Sequence, residues 1–178
     1  MKAYRVKAGR HDFNPREWPF IWRVKKIKKL QWRVMFVENC RYSLPDGDQW
    51  DWNKGGGISF KLFPNNHDNI MWAWRYNPQK DLIELTAYSN NTATGRYIGT
   101  GKGDVLIELP FGEEAVINIA PTINNQWIVH FERPDVYQVH TYHPARKAFC
   151  LAKRLGLWFG GNRKAPKRMT IFVEFNHQ

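Results

Sequence analysis

Hydrophobic and polar residues alternate along much of this 178-residue chain. Around residues 30–37, for example, Leu30, Trp32, Val34 and Phe36 occupy every second position. This period places all four side chains on one face of an extended strand, whereas a helix would scatter them around its axis. The alternation therefore predicts β-strands with one buried face. The segments that show it are residues 30–37, 70–76, 82–88, 105–109, 115–120, 126–132 and 169–175.

Two of these segments predict a β-hairpin. Residues 70–76 and 82–88 are separated by Asn77-Pro78-Gln79-Lys80-Asp81. Proline has no backbone N–H to donate to a neighbouring strand, and Asn and Asp favour turn conformations, so this connection ends one strand before the next begins. Short strands that recur roughly every ten residues, with turn residues between them, are typical of sandwiches and jelly rolls.

The whole chain, residues 1–178, is therefore predicted to be one all-β domain, a two-sheet β-sandwich of the jelly-roll (concanavalin-like) type. At most two segments are predicted to be short helices, and the first of them fits a strand about as well. Residues 20–29 have apolar side chains at a spacing of three, and residues 145–155 are followed by Gly156, a residue that commonly ends helices.

The composition excludes several classes of protein. Hydrophobic residues make up 43% of the chain and aromatic residues 15%, which is too much for an intrinsically disordered protein. No apolar run approaches the ~20 residues of a membrane helix. The N-terminal region is too charged for a secretory signal, so we expect a cytoplasmic or particle-associated protein. Cys40 and Cys150 are predicted to be buried thiols, with one long-range disulfide as the alternative.

Positive charge is concentrated at both ends of the chain. The net charge is +11, and it divides into +9 for residues 1–33 (11 basic, 2 acidic), −5 for residues 34–135 (8 basic, 13 acidic) and +7 for residues 136–178 (8 basic, 1 acidic). Since the ends of a domain often lie close together, these termini are predicted to share one face that attracts an anionic partner. The alternative is a dispersed, solvated set of charges. The predicted face contains Arg5, Lys7, Arg10, Lys25, Lys26, Lys28, Lys29, Arg163, Lys164, Lys167 and Arg168.

The predicted hairpin also supplies a candidate ligand-binding face. Trp72, Trp74 and Tyr76 lie on one face of their strand, and Tyr88 is predicted to join them from the next strand. Rows of aromatic rings are surfaces on which sugar rings stack. The alternative is that this face belongs to the core. In that case Arg75, on the opposite face, is predicted to point to a concave surface and to bind an anionic ligand.

A loop rich in carboxylates precedes this hairpin. Asp46, Asp48 and Asp51 could supply several oxygen ligands to Ca²⁺ from one turn, although the loop does not match the EF-hand pattern and a solvated turn is the alternative. Trp50 and Trp52 in the same loop are predicted to be exposed aromatic residues at the rim of a binding site. Apart from this weak calcium site, the sequence indicates no cofactor and no metal.

Several motifs are spread over almost the whole chain: Tyr4-Arg5-Val6-Lys7-Ala8-Gly9-Arg10-His11, Asp48-Gln49-Trp50-Asp51-Trp52-Asn53-Lys54, Met71-Trp72-Ala73-Trp74-Arg75-Tyr76-Asn77, Ile83-Glu84-Leu85-Thr86-Ala87-Tyr88, and Leu157-Trp158-Phe159-Gly160-Gly161-Asn162 with Ala165-Pro166. Together they resemble a family of uncharacterised proteins that is widespread in Bacteroidetes. The family pattern continues with His-Asp where this chain has Lys167-Arg168. The resemblance implies a fold and no mechanism. More weakly, the Gly-rich residues 54–58 and the Phe-Gly-Gly ending are similar to jelly-roll polysaccharide lyases and lectins.

These observations favour a non-catalytic module that binds a glycan or another anionic surface polymer through the aromatic and Arg-containing face and the basic termini. One alternative is a structural subunit of a large assembly, such as a phage particle, in which protein partners hold the termini. Another is a polysaccharide lyase acting on a polyuronate, with Tyr142 or a His as the base and Arg75 against the uronate carboxylate.

Nucleic acid is a further possible partner. Lys25, Lys26, Lys28 and Lys29 lie beside Trp22 and Trp32, and mixed cations and aromatic rings are typical of single-strand binders. No recognition-module motif accompanies them, so a nucleic-acid partner is the less favoured interpretation.

Overall fold

The computed structural model describes residues 1–16, 21–60, 68–91, 96–98, 105–123, 126–134, 136–142 and 151–178. Within these ranges the chain forms two antiparallel sheets that pack face to face, which confirms the predicted β-sandwich. The strands are β1 Lys2–Val6, β2 Phe13–Asn14, β3 Ile21–Arg23, β4 Leu30–Phe36, β5 Asn53–Ser59, β6 Asn69–Asn77, β7 Leu82–Asn91, β8 Arg96–Ile98, β9 Ile107–Leu109, β10 Glu114–Pro121, β11 Trp127–Arg133, β12 Val136–Tyr142, β13 Leu151–Leu155 and β14 Met169–His177.

Sheet A has the strand order β12-β11-β10-β4-β14-β1-β2. Sheet B has the order β3-β13-β5-β6-β7-β8, with β9 also paired to β7.

The alternating residues face one another across the sandwich. Trp32, Val34 and Phe36 of β4 point inward from sheet A, and Trp72 and Trp74 of β6 point inward from sheet B; all five are at most 1% exposed. The rings of Phe36 and Trp74 lie 5.0 Å apart, so the two sheets meet through aromatic contacts near the centre of the core.

The predicted helices are the part of the fold that differs from expectation. Residues 20–29 contain the short strand β3 and a single 3-10 turn, Val24–Lys26, while residues 151–155 form strand β13 and residues 143–150 lie outside the described part. Val24 and Ile27 are buried, so a spacing of three here reflects a turn passing over the core. The other 3-10 turns are Glu38–Cys40 and Asp46–Trp50. None of the helical segments described is long and apolar enough to span a membrane.

Cys40 is a buried free thiol that contacts strand β14. Its Sγ lies 3.1 Å from the carbonyl oxygen of Thr170, to which the S–H donates. Burial raises the pKa of this thiol to about 12, because the thiolate would lose its hydration inside the core. The predicted burial of this cysteine is confirmed, and Cys150 lies outside the described residues.

A cleft on the outer face of sheet B

A cleft of about 900 Å³ lies between the outer face of sheet B and the segment that connects β13 to β14. The floor is formed by residues that alternate with the core residues of β5, β6, β7 and β13 and therefore point away from sheet A. Residues 12–16 and 156–162 form the walls. The outward-facing side chains of sheet B that line the cleft are Lys54, Asn69, Met71, Tyr88, Asn90 and Lys153.

A β-bulge directs Lys54 into this cleft. Lys54, Gly56 and Ile58 occupy every second position, so in a regular strand Lys54 would share the core face with Ile58. The pairing of β5 with β6 shifts register between Lys54 and Gly56, which leaves Gly55 as the extra residue and turns Lys54 outward. Gly55 has to be glycine, because a Cβ there would lie 2.0 Å from the Trp72 ring. The Gly-rich segment therefore contains a bulge at a position where only glycine fits.

The ammonium group of Lys54 is partly desolvated. Its Nζ donates to the carbonyl oxygen of Trp52 at 2.8 Å and lies 4.7 Å from the centroid of the Tyr88 ring. Burial lowers the pKa of Lys54, and the nearby carboxylate of Asp51 opposes this shift. Burial removes part of the hydration of this cation. A bound anion next to Nζ would replace part of the electrostatic stabilisation that is lost with it.

Trp158 presents an exposed indole at the edge of the same cleft. Its backbone N–H and carbonyl oxygen exchange hydrogen bonds with Lys54 at 2.9 and 2.8 Å, which ties it to the end of β5. The ring of His11 stacks on the indole with centroids 4.9 Å apart and planes 7° apart. His11 is itself held by a 2.7 Å contact between its Nδ1 and the carbonyl oxygen of Phe159. Trp158 is nevertheless 41% exposed, so it is a fixed aromatic surface open to a ligand.

The turn that follows Trp158 depends on a glycine. Gly160 has a φ of +67°, and a Cβ on it would lie 2.2 Å from the carbonyl oxygen of Arg163. Its N–H donates to Oδ1 of the buried Asn53 at 2.5 Å. The Phe-Gly-Gly ending noted in the sequence therefore fixes the cleft wall to strand β5.

Arg75, the predicted anion-binding residue, is sealed within the protein. It lies on the outer face as predicted, but its side chain is 7% exposed, and its Nε donates to Oε2 of Glu84 at 2.6 Å. Its Nη1 donates to the carbonyl oxygen of Trp50 at 3.1 Å, and its guanidinium carbon lies 4.2 Å from the centroid of the Trp52 ring. Arg75 is thus not presented to a ligand, because the loop containing Trp50 and Trp52 covers it.

The aromatic residues of the hairpin divide between the two faces. Trp72, Trp74 and Tyr76 lie in the core, so the prediction that they form a sugar-stacking surface is wrong and the core alternative is correct. Tyr88 pairs with Met71 rather than with Trp72, so it faces outward into the cleft instead of joining them. Trp52 is 2% exposed, which corrects its prediction as an exposed rim residue.

The basic termini form two separate clusters rather than one face. Backbone hydrogen bonds from Gly9 and to Arg10 join the first turn to Ala165, whereas Lys28 and Lys29 bond to the carbonyl oxygen of Gln178. These contacts lie at opposite ends of β14, which is about 27 Å long at ~3.3 Å per residue. The predicted single face is therefore divided. Arg163 in addition pairs with Asp48 at 2.6 Å, and the side chain of Lys25 lies outside the described residues.

Two other predicted sites gain no support. Among the residues that the structure describes, no three His, Cys, Asp or Glu side chains are grouped as a metal would require, although the side chain of Asp46 is outside that set. Trp32 is 1% exposed and cannot stack on a nucleic-acid base, so the lysine-rich segment lacks that predicted aromatic partner. The side chains of Trp22 and Tyr142 are not among those described.

Sequence reasoning did not single out Lys54 or Trp158 as site residues. The direction of Lys54 depends on a bulge, and the position of Trp158 depends on bridges to Asp12 and Lys54, far away in the sequence. The available signals were the three consecutive glycines after Lys54 and the tryptophan directly before Phe-Gly-Gly.

Comparison with known proteins supports the fold. No family model matches the chain, and no curated protein matches its sequence. An alginate lyase from Pseudomonas aeruginosa has a similar structure, with a TM-score of 0.54 and 13% identity over 89% of this chain and 68% of the lyase chain. A functionally unknown protein from Saccharomyces cerevisiae gives a TM-score of 0.49 and 8% identity over 97% of this chain and 84% of that chain. At 13% identity the likeness to the lyase shows a shared fold alone, and membership of the Bacteroidetes family stays a prediction.

Proposed function

We propose that this protein binds an acidic polysaccharide in the cleft on the outer face of sheet B. The observation that carries the proposal is the pairing of an exposed indole with a partly desolvated ammonium: Trp158 and Lys54 are joined by two backbone hydrogen bonds and line the same cleft. The C–H face of a sugar ring packs against an indole, and a carboxylate on that sugar would find Lys54 and Lys153 nearby.

Polar groups on the floor of the cleft suit the hydroxyl groups of a glycan. Asn69 and Asn90 line it beside Met71 and Tyr88, which gives the mixture of amide, phenol and apolar surface found in sugar sites. The alginate lyase that shares the fold suggests alginate as the first ligand to test. The sequence predicted a binding module that uses one face of the hairpin. Because that face is buried in the core, we assign binding to the outward face of sheet B instead.

Replacing Trp158 with Ala is expected to weaken alginate binding at least tenfold, because about 1.4 kcal/mol of stacking and apolar contact is lost. Replacing Lys54 with Met should weaken it similarly by removing the cation. Isothermal titration calorimetry with alginate oligomers measures both effects. Tyr137→Ala is the matched control, since Tyr137 is an exposed aromatic residue on sheet A. Equal affinities of the wild-type protein and the Trp158 variant would contradict the proposal.

A lyase acting on the same ligand is the second candidate. Tyr88 and Lys54 are in contact in the cleft, which places a phenol beside an amine whose pKa is lowered. In β-elimination one group removes the proton next to the uronate carboxylate, a C=C bond forms, and the glycosidic C–O bond breaks as its oxygen receives a proton. Arg75 cannot neutralise the carboxylate from its buried position, so Lys54 or Lys153 would have to do so.

The ultraviolet absorbance of the unsaturated sugar distinguishes these candidates. If the protein is a lyase, absorbance rises during incubation with alginate, and the Tyr88→Phe variant loses at least a hundredfold in rate while still binding. If it is a binding module, absorbance stays at the baseline while calorimetry still detects binding.

A further inference from the structure

Five exposed cations cluster where the wall of the cleft meets the N-terminal turn. Lys7 follows β1 and Arg168 precedes β14, and the adjacent pair Val6–Met169 brings them together. Backbone hydrogen bonds of 2.8 and 2.9 Å join residues 9 and 10 to Ala165. Neither residues 1–11 nor residues 162–173 contain an Asp or Glu. We call this surface the proximal basic cluster; it consists of Lys7, Arg10, Lys164, Lys167 and Arg168.

The proximal basic cluster is continuous with the cleft. Asp12 and Asn162 both line the cleft, and each is two residues away from a member of the cluster, Arg10 and Lys164 respectively. His11 directly follows Arg10 of the cluster, and its ring stacks on the indole of Trp158, which lines the cleft. A linear ligand that leaves the cleft past the indole would therefore reach the cluster directly.

We propose, on the basis of the function proposed above, that the protein recognises long polyanionic chains. The proximal basic cluster would hold the part of the ligand that extends beyond the cleft. The cluster would contact successive carboxylates through exposed ammonium and guanidinium groups. Its contribution should depend on ligand length, because a short oligomer fills only the cleft. It should also weaken with salt, since exposed charges are screened beyond about 10 Å at 0.1 M.

The second basic cluster provides an internal control. Lys28 and Lys29 are fixed at the opposite end of β14, about 27 Å away at ~3.3 Å per residue, which is well over one screening length. Reversing two charges there changes the net charge of the protein as much as reversing two charges in the proximal cluster. A general effect of net charge would appear in both variants, whereas a local effect would appear in one.

The test compares the wild-type protein, the Lys164→Glu/Lys167→Glu double variant and the Lys28→Glu/Lys29→Glu double variant. The probes are a trimer and a dodecamer of alginate, measured by calorimetry at low and at physiological salt. We expect the proximal variant to lose about tenfold in affinity for the dodecamer and to bind the trimer as the wild type does. The distal variant should change neither affinity. Thermal unfolding of all three proteins checks that they fold equally well.

The outcomes separate this inference from the function on which it rests. Equal losses in the two variants, or a dodecamer that binds no more tightly than the trimer, would overturn the role of the proximal basic cluster while leaving binding in the cleft intact. Failure of the wild-type protein to bind either oligomer would overturn the proposed function itself.

Discussion

Replacing Glu84 with Leu is expected to lower the free energy of unfolding by about 3–5 kcal/mol. Glu84 is 3% exposed and forms the buried ion pair with Arg75, and its Oε1 also accepts a 2.7 Å hydrogen bond from Nδ2 of Asn77. Leucine would leave a guanidinium beneath the Trp52 ring without its carboxylate. A buried charge without its partner is strongly destabilising. The decrease in the free energy of unfolding is therefore larger than the stability that the ion pair itself contributes.

Urea unfolding followed by tryptophan fluorescence measures this loss. Two control variants separate charge from shape. Glu84→Gln keeps the size of the side chain and one of its two acceptor oxygens, so it should cost less than the leucine variant. Arg75→Met combined with Glu84→Leu removes both charges and should recover much of the stability. If the double variant is no more stable than Glu84→Leu alone, the buried-charge explanation is wrong.

The ion pair also explains where the candidate site lies on sheet B. The outer faces of β6 and β7 begin with Arg75 and Glu84 at the hairpin end and continue to Asn69 and Asn90 at the other end. The loop containing Trp50 and Trp52 covers the first end, as the contacts of Arg75 show. The cleft lies toward the other end, where Tyr88, Asn69 and Asn90 line it. One face of one hairpin thus contains both a sealed charge pair and part of the cleft.

Strand positions were predictable because burial imposes a period of two on the residues. All seven alternating segments are strands or contain one, and the hairpin of β6 and β7 has the predicted connection. Alternation reports which residues share a face within one strand, and Trp72 and Trp74 indeed share theirs. This local information is sufficient for the fold class of an antiparallel sandwich.

The register between strands was not predictable from the same pattern. Tyr88 would face the core if it paired with Trp72, but it pairs with Met71. A difference of one residue in pairing reverses the face of every side chain on a strand. Lys54 shows the same limit, because the bulge at Gly55 changes its face without changing the hydrophobic pattern around it. The candidate site therefore depends on geometry that local alternation does not encode.

The charge pattern has a similar explanation. The two chain ends do meet, since β1 pairs with β14, but antiparallel pairing places residue 7 at one end of β14 while residues 28 and 29 lie at the other. Proximity of the terminal strands thus did not imply that every cation near the termini shares a face. Lys7 and Arg168 lie beside the β1–β14 junction, next to the cleft wall, whereas Lys28 and Lys29 lie at the far end of β14.

Replacing Trp74 with Ala is expected to destabilise the protein by about 3–5 kcal/mol, equivalent to a fall of about 10–15 °C in the unfolding temperature. The indole is fully buried, and the centroid of its ring lies 5.0 Å from that of Phe36 and 6.1 Å from that of Phe159. Alanine would leave a cavity that these neighbours can fill only in part. Differential scanning calorimetry measures the change.

Trp158→Ala is the matched control, because it removes the same side chain from a 41% exposed position. We expect this variant to unfold within about 2–4 °C of the wild type, since removal of an exposed side chain costs at most about 1 kcal/mol here. The two tryptophans therefore separate stability from the proposed binding: Trp74 lies between the sheets, whereas Trp158 lines the cleft. If the Trp74 variant is as stable as the Trp158 variant, the inward face of β6 does not form part of the core. The assignment of the outer face as the binding surface would then have to be reversed.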